Sequence, residues 1–193
     1  MDNILIKKKE YTPVKELGEN TLLVKKDDVL YVVKWLGVKT RAFSDFKYST
    51  KRMTTCNVRT PKVLVLDKKT GYALLEYVDG KTAYEELIEH DFEEDIYSQL
   101  FNMNWLARRN MMQLDFNPQN FRIANGKLYY MPFTFGLYDR KKDFTENDLR
   151  LWFYTKEFRE LMAKDGLLFD KSRMLPDYEI NKKLVLTVVK FYR

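Results

Sequence analysis

The chain has 193 residues, among them 7 glycines, one histidine and one cysteine, and a net charge of +6. About 13 or 14 glycines would be ordinary at this length, and the shortage leaves neither a G-x-x-x-x-G-K-[ST] loop nor a G-x-G-x-x-G fingerprint. His90 and Cys56 cannot by themselves build a His/Cys zinc site or an internal disulfide. His90 lies in the charged stretch Ile88-Glu89-His90-Asp91 and reads as a surface residue rather than the centre of a Ser-His-Asp relay. Apolar residues make up 45% and aromatics 15% of the chain, enough for a packed core. No apolar run approaches the roughly 18 residues of a membrane span. Ile4-Leu5-Ile6 is too short for a signal-peptide core, and Lys7-Lys8-Lys9 follows it rather than precedes it. A lone cysteine without an export signal points to a cytoplasmic protein.

In chain order, residues 11–17 read as a strand and Gly18-Glu19-Asn20 as its turn. Residues 22–24 and 29–36 flank Asp27-Asp28 and predict a hairpin. Phe43, Phe46, Ser49-Thr50 and Met53 recur at helical spacing and predict a helix over 41–55, which Pro61 follows. Residues 62–66 and 72–78 are two more strands around a turn at Lys68 to Gly71. After Gly80 the pattern is helical. Phe92, Ile96, Leu100, Met103 and Leu106 form one stripe of a long helix over 92–112. A polar loop at 113–120 precedes strands 121–124 and 127–131, joined by Asn125-Gly126, a type I′ turn pair. Thr145-Glu146-Asn147-Asp148 reads as a capping box opening a helix that runs to about Lys164, with Gly166 ending it. A last helix over 177–191 follows Pro176, with Asp177 as N-cap. The fold class is α+β, divided into a small antiparallel β unit with one helix (1–78) and a mostly helical unit (79–193).

Three features carry chemistry. Lys34, in Val32-Val33-Lys34-Trp35, points to the face opposite Val33. It either snorkels to solvent from an edge strand or meets an anion. Asp115-Phe116-Asn117-Pro118-Gln119-Asn120 places an Asp and an Asn five apart across a Pro-containing loop. The Asp can orient a hydroxyl and the Asn carbonyl can hold a metal, or the segment is an Asx-rich turn. Leu74-Leu75-Glu76-Tyr77-Val78-Asp79-Gly80 runs from a strand into a connector. Its backbone can meet an adenine edge, or it is a core strand and turn.

Together these stretches resemble the protein-kinase-like superfamily over about residues 11–164. The likeness is to its small atypical branches: aminoglycoside-phosphotransferase-like kinases, lipopolysaccharide core heptose kinases, and the small kinase of the tRNA-threonylcarbamoyl complex. Leu74 to Gly80 is similar to the family's hinge, and Asp115 and Asn120 match H-x-D-x-x-x-x-N, with the catalytic hairpin spanning 113–136. Lys34 matches the third-strand lysine that contacts the α/β-phosphates. The resemblance implies a two-lobed kinase-like fold and an ATP-dependent phosphotransferase acting on a small-molecule or saccharide hydroxyl. It implies Asp115 as catalytic residue, with Lys34, Glu76, Val78 and Gly18 at the nucleotide. Asn120 and Thr134 fall at the metal, and ATP and Mg²⁺ are the cofactors.

The departures are as specific. Gln113 replaces the family's His, and Gly18 alone remains of the phosphate-covering loop. Where Asp-Phe-Gly belongs, the chain reads Met131-Pro132-Phe133-Thr134-Phe135-Gly136, with Thr134, or Pro132 in a shifted register, at the metal position. Asp139 and Asp143 are the nearby acids that could substitute, and Asp45 is the nearest acid on helix 41–55 to pair with Lys34. A catalytically impaired pseudokinase that binds a nucleotide or a partner is therefore the alternative function. The basic doublets add a nucleic-acid partner as a third possibility.

Overall fold

The computed structural model describes residues 2–192 and is α+β. It divides into two compact units, residues 1–55 with 60–79 and residues 56–59 with 80–193. Among the described residues, no helix is long and apolar enough to cross a membrane.

The first unit is a six-stranded sheet with one helix. In chain order its elements are β1 (Ile4–Ile6), β2 (Lys9–Gly18), β3 (Thr21–Lys26), β4 (Val29–Trp35), α1 (Arg41–Thr55), β5 (Val63–Asp67) and β6 (Tyr72–Glu76). The spatial order is β1-β2-β3-β4-β6-β5, and every neighbouring pair is antiparallel. The Asp27-Asp28 turn takes left-handed φ at both residues (49° and 61°), as a type I′ hairpin requires. α1 covers the span its spacing predicts and buries Phe43, Phe46, Thr50 and Met53.

Strand β1 is a departure from the sequence reading, which began the sheet at residue 11. Ile4 and Ile6 are buried and join Tyr11, Val24, Val33 and Leu74 in one apolar cluster. Three residues give too short a pattern to announce a strand; the cluster they complete is what fixes them. Pro13 is tolerated in β2 because β1 pairs only with residues 9–11, so Pro13 has a ladder partner on one side alone, at a bulge.

The sheet is curled, and one carboxylate joins its edges. β1 and β5 are the outermost strands, yet the Lys7 N–H donates to Asp67 Oδ2 at 3.1 Å. The Lys69 N–H donates to Oδ1 at 2.9 Å, and Asp67 is only 6% exposed. These backbone donors, Lys69 first and Lys7 second, hold the Asp67 pKa below its ordinary value.

The second unit holds β7 (Lys81–Thr82), α2 (Ala83–Glu89), α3 (Glu94–Arg109), β8 (Met112–Gln113), β9 (Phe121–Ala124), β10 (Lys127–Tyr130), β11 (Gly136–Leu137), α4 (Phe144–Asn147), α5 (Lys156–Lys164) and α6 (Asp177–Phe191). Strands β10, β9 and β7 form one small sheet, and β11 pairs with β8 in another. α2 opens on a capping box: Thr82 Oγ1 accepts from the Glu85 N–H at 3.0 Å, and the Glu85 carboxylate accepts from the Thr82 N–H at 2.7 Å. Gly80 has no room for a side chain, since a Cβ there would lie 2.0 Å from the Ile123 carbonyl oxygen. The Asn125-Gly126 turn is left-handed at both residues.

The helix expected over 145–164 is in fact three pieces. α4 is one turn capped by Asp143, a 3-10 turn covers Leu149–Trp152, and α5 starts afresh. The break is Thr155. Its hydroxyl accepts from the Phe158 N–H at 3.2 Å and donates to the Arg150 carbonyl at 2.8 Å, while Phe153 before it is extended. A side chain that caps a new helix is competing with continuation of the old one. Gly166 does end α5, in a Schellman arrangement: its N–H reaches Ala163 O, and the Leu167 N–H reaches Met162 O. At α6 the N-cap is Pro176, one residue before the expected Asp177. The helix expected over 92–112 stops at Arg109, and Met111 turns left-handed into β8.

Asp67→Ala tests the edge-joining carboxylate. Because the folded pKa is depressed, the stabilisation is complete above the ordinary carboxylate range and is lost as the pH falls through the folded value. Urea unfolding at pH 7 should show a loss of about 2 kcal/mol, and the gap from the parent chain should narrow near pH 3.

Candidate functional site

The loop between β8 and β9 is built from its own side chains. Asp115 is exposed, and its Oδ1 accepts from the Asn117 N–H at 3.0 Å, an Asx turn. Asn117 Oδ1 then accepts from the Gln119 N–H at 3.0 Å and caps the 3-10 turn Pro118–Asn120. The Asn120 side chain donates back to the Asp115 carbonyl at 3.4 Å, and the Asn120 backbone carbonyl accepts from the Met131 N–H at 2.9 Å. Asp115 and Asn120 are thus brought together by this short loop.

One hydroxyl adds Thr134 to the group. Tyr130 OH accepts from the Asp115 N–H at 3.3 Å and donates to the Thr134 carbonyl at 2.9 Å. Tyr130 is 1% exposed, and burial is the first cause of its raised pKa, so the hydroxyl keeps its proton. The Thr134 backbone is used in this bridge and its residue is exposed.

Behind the loop lies an aromatic core. The indole N–H of Trp152 donates to the Phe116 carbonyl at 2.7 Å, and Tyr97 OH donates to the Trp152 carbonyl at 3.0 Å. Phe116 packs on Phe144 at 4.7 Å between ring centroids, and Phe121 meets Trp152 edge-on at 5.1 Å. A buried indole N–H needs an acceptor, and the loop carbonyl supplies it.

A second carboxylate stands beside Asp115. Asp148 is half-buried between α4 and the 3-10 turn, and its pKa is pushed up to about 6, first by burial and second by the charge of Asp115. Sequence patterning missed it because residues 145–148 read as a capping box, which made Asp148 a helix residue. Tyr130 and Trp152 were missed too. Buried aromatics give no spacing signal for a hydrogen bond; a Trp and a Tyr in apolar stretches near a polar loop are the only hint.

The substitute acids have other partners. Asp143 is 4% exposed and accepts from Tyr138 OH at 2.8 Å and from the N–H and hydroxyl of Thr145, with Arg108 at 3.7 Å. Asp139 caps the turn Arg140–Lys142. Gln113, at the position where the resemblance has His, accepts from the Asp139 N–H and donates to the Lys142 carbonyl at 2.9 Å. Among the described residues, no three His, Cys, Asp or Glu side chains converge on one point. Asn120 and Thr134 offer a neutral amide and a neutral hydroxyl, so the carboxylate that Mg²⁺ takes in most sites would have to come from another residue.

In the first unit, Lys34 is half-buried on β4, an interior strand, opposite Thr21 on one side and Ala73 on the other. Asp45 pairs with Arg41 at 3.5 Å, and no acid pairs with Lys34 among the described residues. Glu76 accepts from the Lys62 N–H at 3.1 Å and its own N–H bonds the Lys62 carbonyl. Val78 is buried, and Gly18 ends β2 opposite Thr21. His90 is exposed and lies 2.9 Å from Glu86.

Asp148 gives a test of this geometry. Its folded pKa lies above the ordinary 3.8, so the native chain holds a proton the unfolded chain releases, and stability falls as the pH rises from about 4 to about 6. Asp148→Asn should therefore gain about 1–2 kcal/mol at pH 8, held down by solvent screening at a half-buried site, and change little at pH 4, by thermal or urea unfolding. Asp115→Asn should lower the Asp148 pKa seen by carbon-detected NMR while leaving it above the usual carboxylate range, because burial is the larger cause. No family model matches the chain, and no curated protein is significantly similar to it.

Proposed function

We propose that the chain is a protein-kinase-like protein that binds a nucleotide and whose phosphoryl transfer is impaired: a pseudokinase acting as a nucleotide- or partner-binding module. The observation that carries this reading is the uneven loss of parts. The loop residues Asp115 and Asn120 are retained and held together, while the position for the metal carboxylate carries Thr134 or Pro132. Asp143, a buried acid further along the chain, already has three donors and an arginine. The strand order β2-β3-β4-β6-β5 with α1 between β4 and β5 supports a two-lobed kinase-like fold, as does the pairing of β8 with β11 around the Asp115 loop and its hairpin. In this reading Lys34, Gly18 and the Glu76–Val78 segment are the first unit's nucleotide contacts.

A second reading is favoured by the carboxylate pair. Asp115 is exposed, and burial and the Asp115 charge push the Asp148 pKa up to about 6. Such a pair suits a site where Asp115 orients an acceptor hydroxyl and a neighbouring acid holds a proton. The chain would then be an active phosphotransferase on a small-molecule or saccharide hydroxyl.

Calorimetric titration with ATP separates the two. The pseudokinase reading expects ATP affinity to stay within about threefold when Mg²⁺ is replaced by EDTA, with no turnover. ATP consumption that requires Mg²⁺ and vanishes in Asp115→Ala would favour the phosphotransferase. No binding at millimolar ATP would sink both.

A further inference from the structure

The charge of this chain is unevenly divided. The first unit has 15 Lys and Arg against 10 Asp and Glu, and the second has 19 against 18, so nearly all of the net +6 belongs to the curled sheet and its helix. Within that unit, four lysines gather at one hollow of about 660 Å³. Lys7 and Lys8 form the β1–β2 turn, and Lys68 and Lys69 lie in the β5–β6 turn. Leu5 and Leu66 also line the hollow.

The gathering is built. Two turns 60 residues apart in sequence are fixed side by side by Asp67, which takes the Lys7 N–H from one and the Lys69 N–H from the other. Among the described residues Asp67 is the only acid lining the hollow, and both its oxygens accept from these backbone donors. Among the described residues none of the four ammonium groups has an ion-pair partner, although Lys25, Lys26 and Arg41 elsewhere in the unit do. Lys7 and Lys8 also hold left-handed φ of 46° and 66°, positions where Asn and Gly are the easy residues. Four like charges in a concave pocket repel one another until an anion enters.

The kind of anion follows from the neighbours. The Leu36 N–H donates to the Gly71 carbonyl at 2.8 Å, which places Trp35 beside the turn that carries Lys68 and Lys69. Trp35 is 48% exposed, a large ring left open to solvent. Lysines lining a hollow, with an open indole beside one of the two turns that carry them, suit a chain of phosphates with bases attached. Lysines act as point charges without the fork that reads base edges, so such binding carries little sequence preference.

We propose that this hollow binds the phosphate backbone of a single-stranded nucleic acid, with Lys7, Lys8, Lys68 and Lys69 each at a phosphate and Trp35 stacking on a base. The site uses none of the residues assigned to ATP, so it stands or falls independently of the nucleotide reading.

Fluorescence anisotropy of the full chain with a labelled single-stranded RNA of mixed sequence, about twelve nucleotides long, tests it. Four phosphate contacts should weaken binding about 50-fold between about 50 and about 200 mM salt. Joint substitution Lys7→Gln, Lys8→Gln, Lys68→Gln and Lys69→Gln should remove most of that salt dependence. The same four positions changed to Arg should restore it, which separates charge from folding. Lys182→Gln with Lys183→Gln, a doublet on α6, should leave binding unchanged, and Trp35→Ala should weaken it severalfold at every salt concentration. The proposal is overturned if no binding is seen at low salt, if the α6 doublet matters as much as the four lysines, or if phosphatidylserine vesicles bind more tightly than the strand with the same lysine dependence. It is also overturned if inorganic tripolyphosphate binds as tightly as the strand, since the occupant would then be a small phosphate compound.

Discussion

The second unit depends on the hydrogen bond from the Trp152 indole to the Phe116 carbonyl. Phe116 follows Asp115, so this bond fixes the backbone immediately beyond the exposed carboxylate. Trp152 is itself held by the Tyr97 hydroxyl from α3 and wedged edge-on against Phe121. A long helix, a buried indole and a polar loop are thereby joined in one line. Without the donor, the Phe116 carbonyl would be buried without a partner, at a cost of about 1–3 kcal/mol. The loop keeps its shape because the aromatic core behind it needs the loop's carbonyl as much as the loop needs the core.

The first unit solves the same problem with charge. Its turns carry several lysines, and a buried carboxylate, Asp67, takes two of their backbone N–H groups. The result is the opposite electrostatic character at the two loop clusters. Near Asp115, burial first and the Asp115 charge second drive Asp148 toward its neutral form. Around Asp67 the acid stays ionised because fixed N–H dipoles face it, and the surrounding side chains are cationic. Burial alone would raise both acids; the donors decide the difference.

Local features were the ones the sequence made legible. The helix α1 follows from Phe43, Phe46 and Met53 at helical spacing, and the turns at Asp27-Asp28 and Asn125-Gly126 follow from residues that accept left-handed φ. The meeting of Asp115 with Asn120 is likewise local, since six residues with three Asx side chains fold on themselves. What escaped depends on contacts distant in sequence. Ile4 and Ile6 are a strand because a cluster from other strands receives them. Tyr130 matters through two backbone atoms on either side of a hairpin, and Asp148 through Asp115, 33 positions earlier in the chain. The broken helix after Asp143 was misread for a simpler reason: Thr155 looks like one more helical residue until its hydroxyl is seen capping the next helix.

The curled sheet has a consequence for how the chain assembles. The bond from Lys7 to Asp67 joins residues 60 apart. Closing so long a segment costs more entropy than any of the hairpins β2–β3, β3–β4 or β5–β6, whose turns are a few residues long. The contact that joins the sheet's two edges is therefore the one with the highest closure cost, and it is held by a single carboxylate. Ile4 and Ile6 sit on the hairpin that this bond anchors, so a weakened Asp67 would loosen the cover over the apolar cluster they share with Tyr11, Val24, Val33 and Leu74.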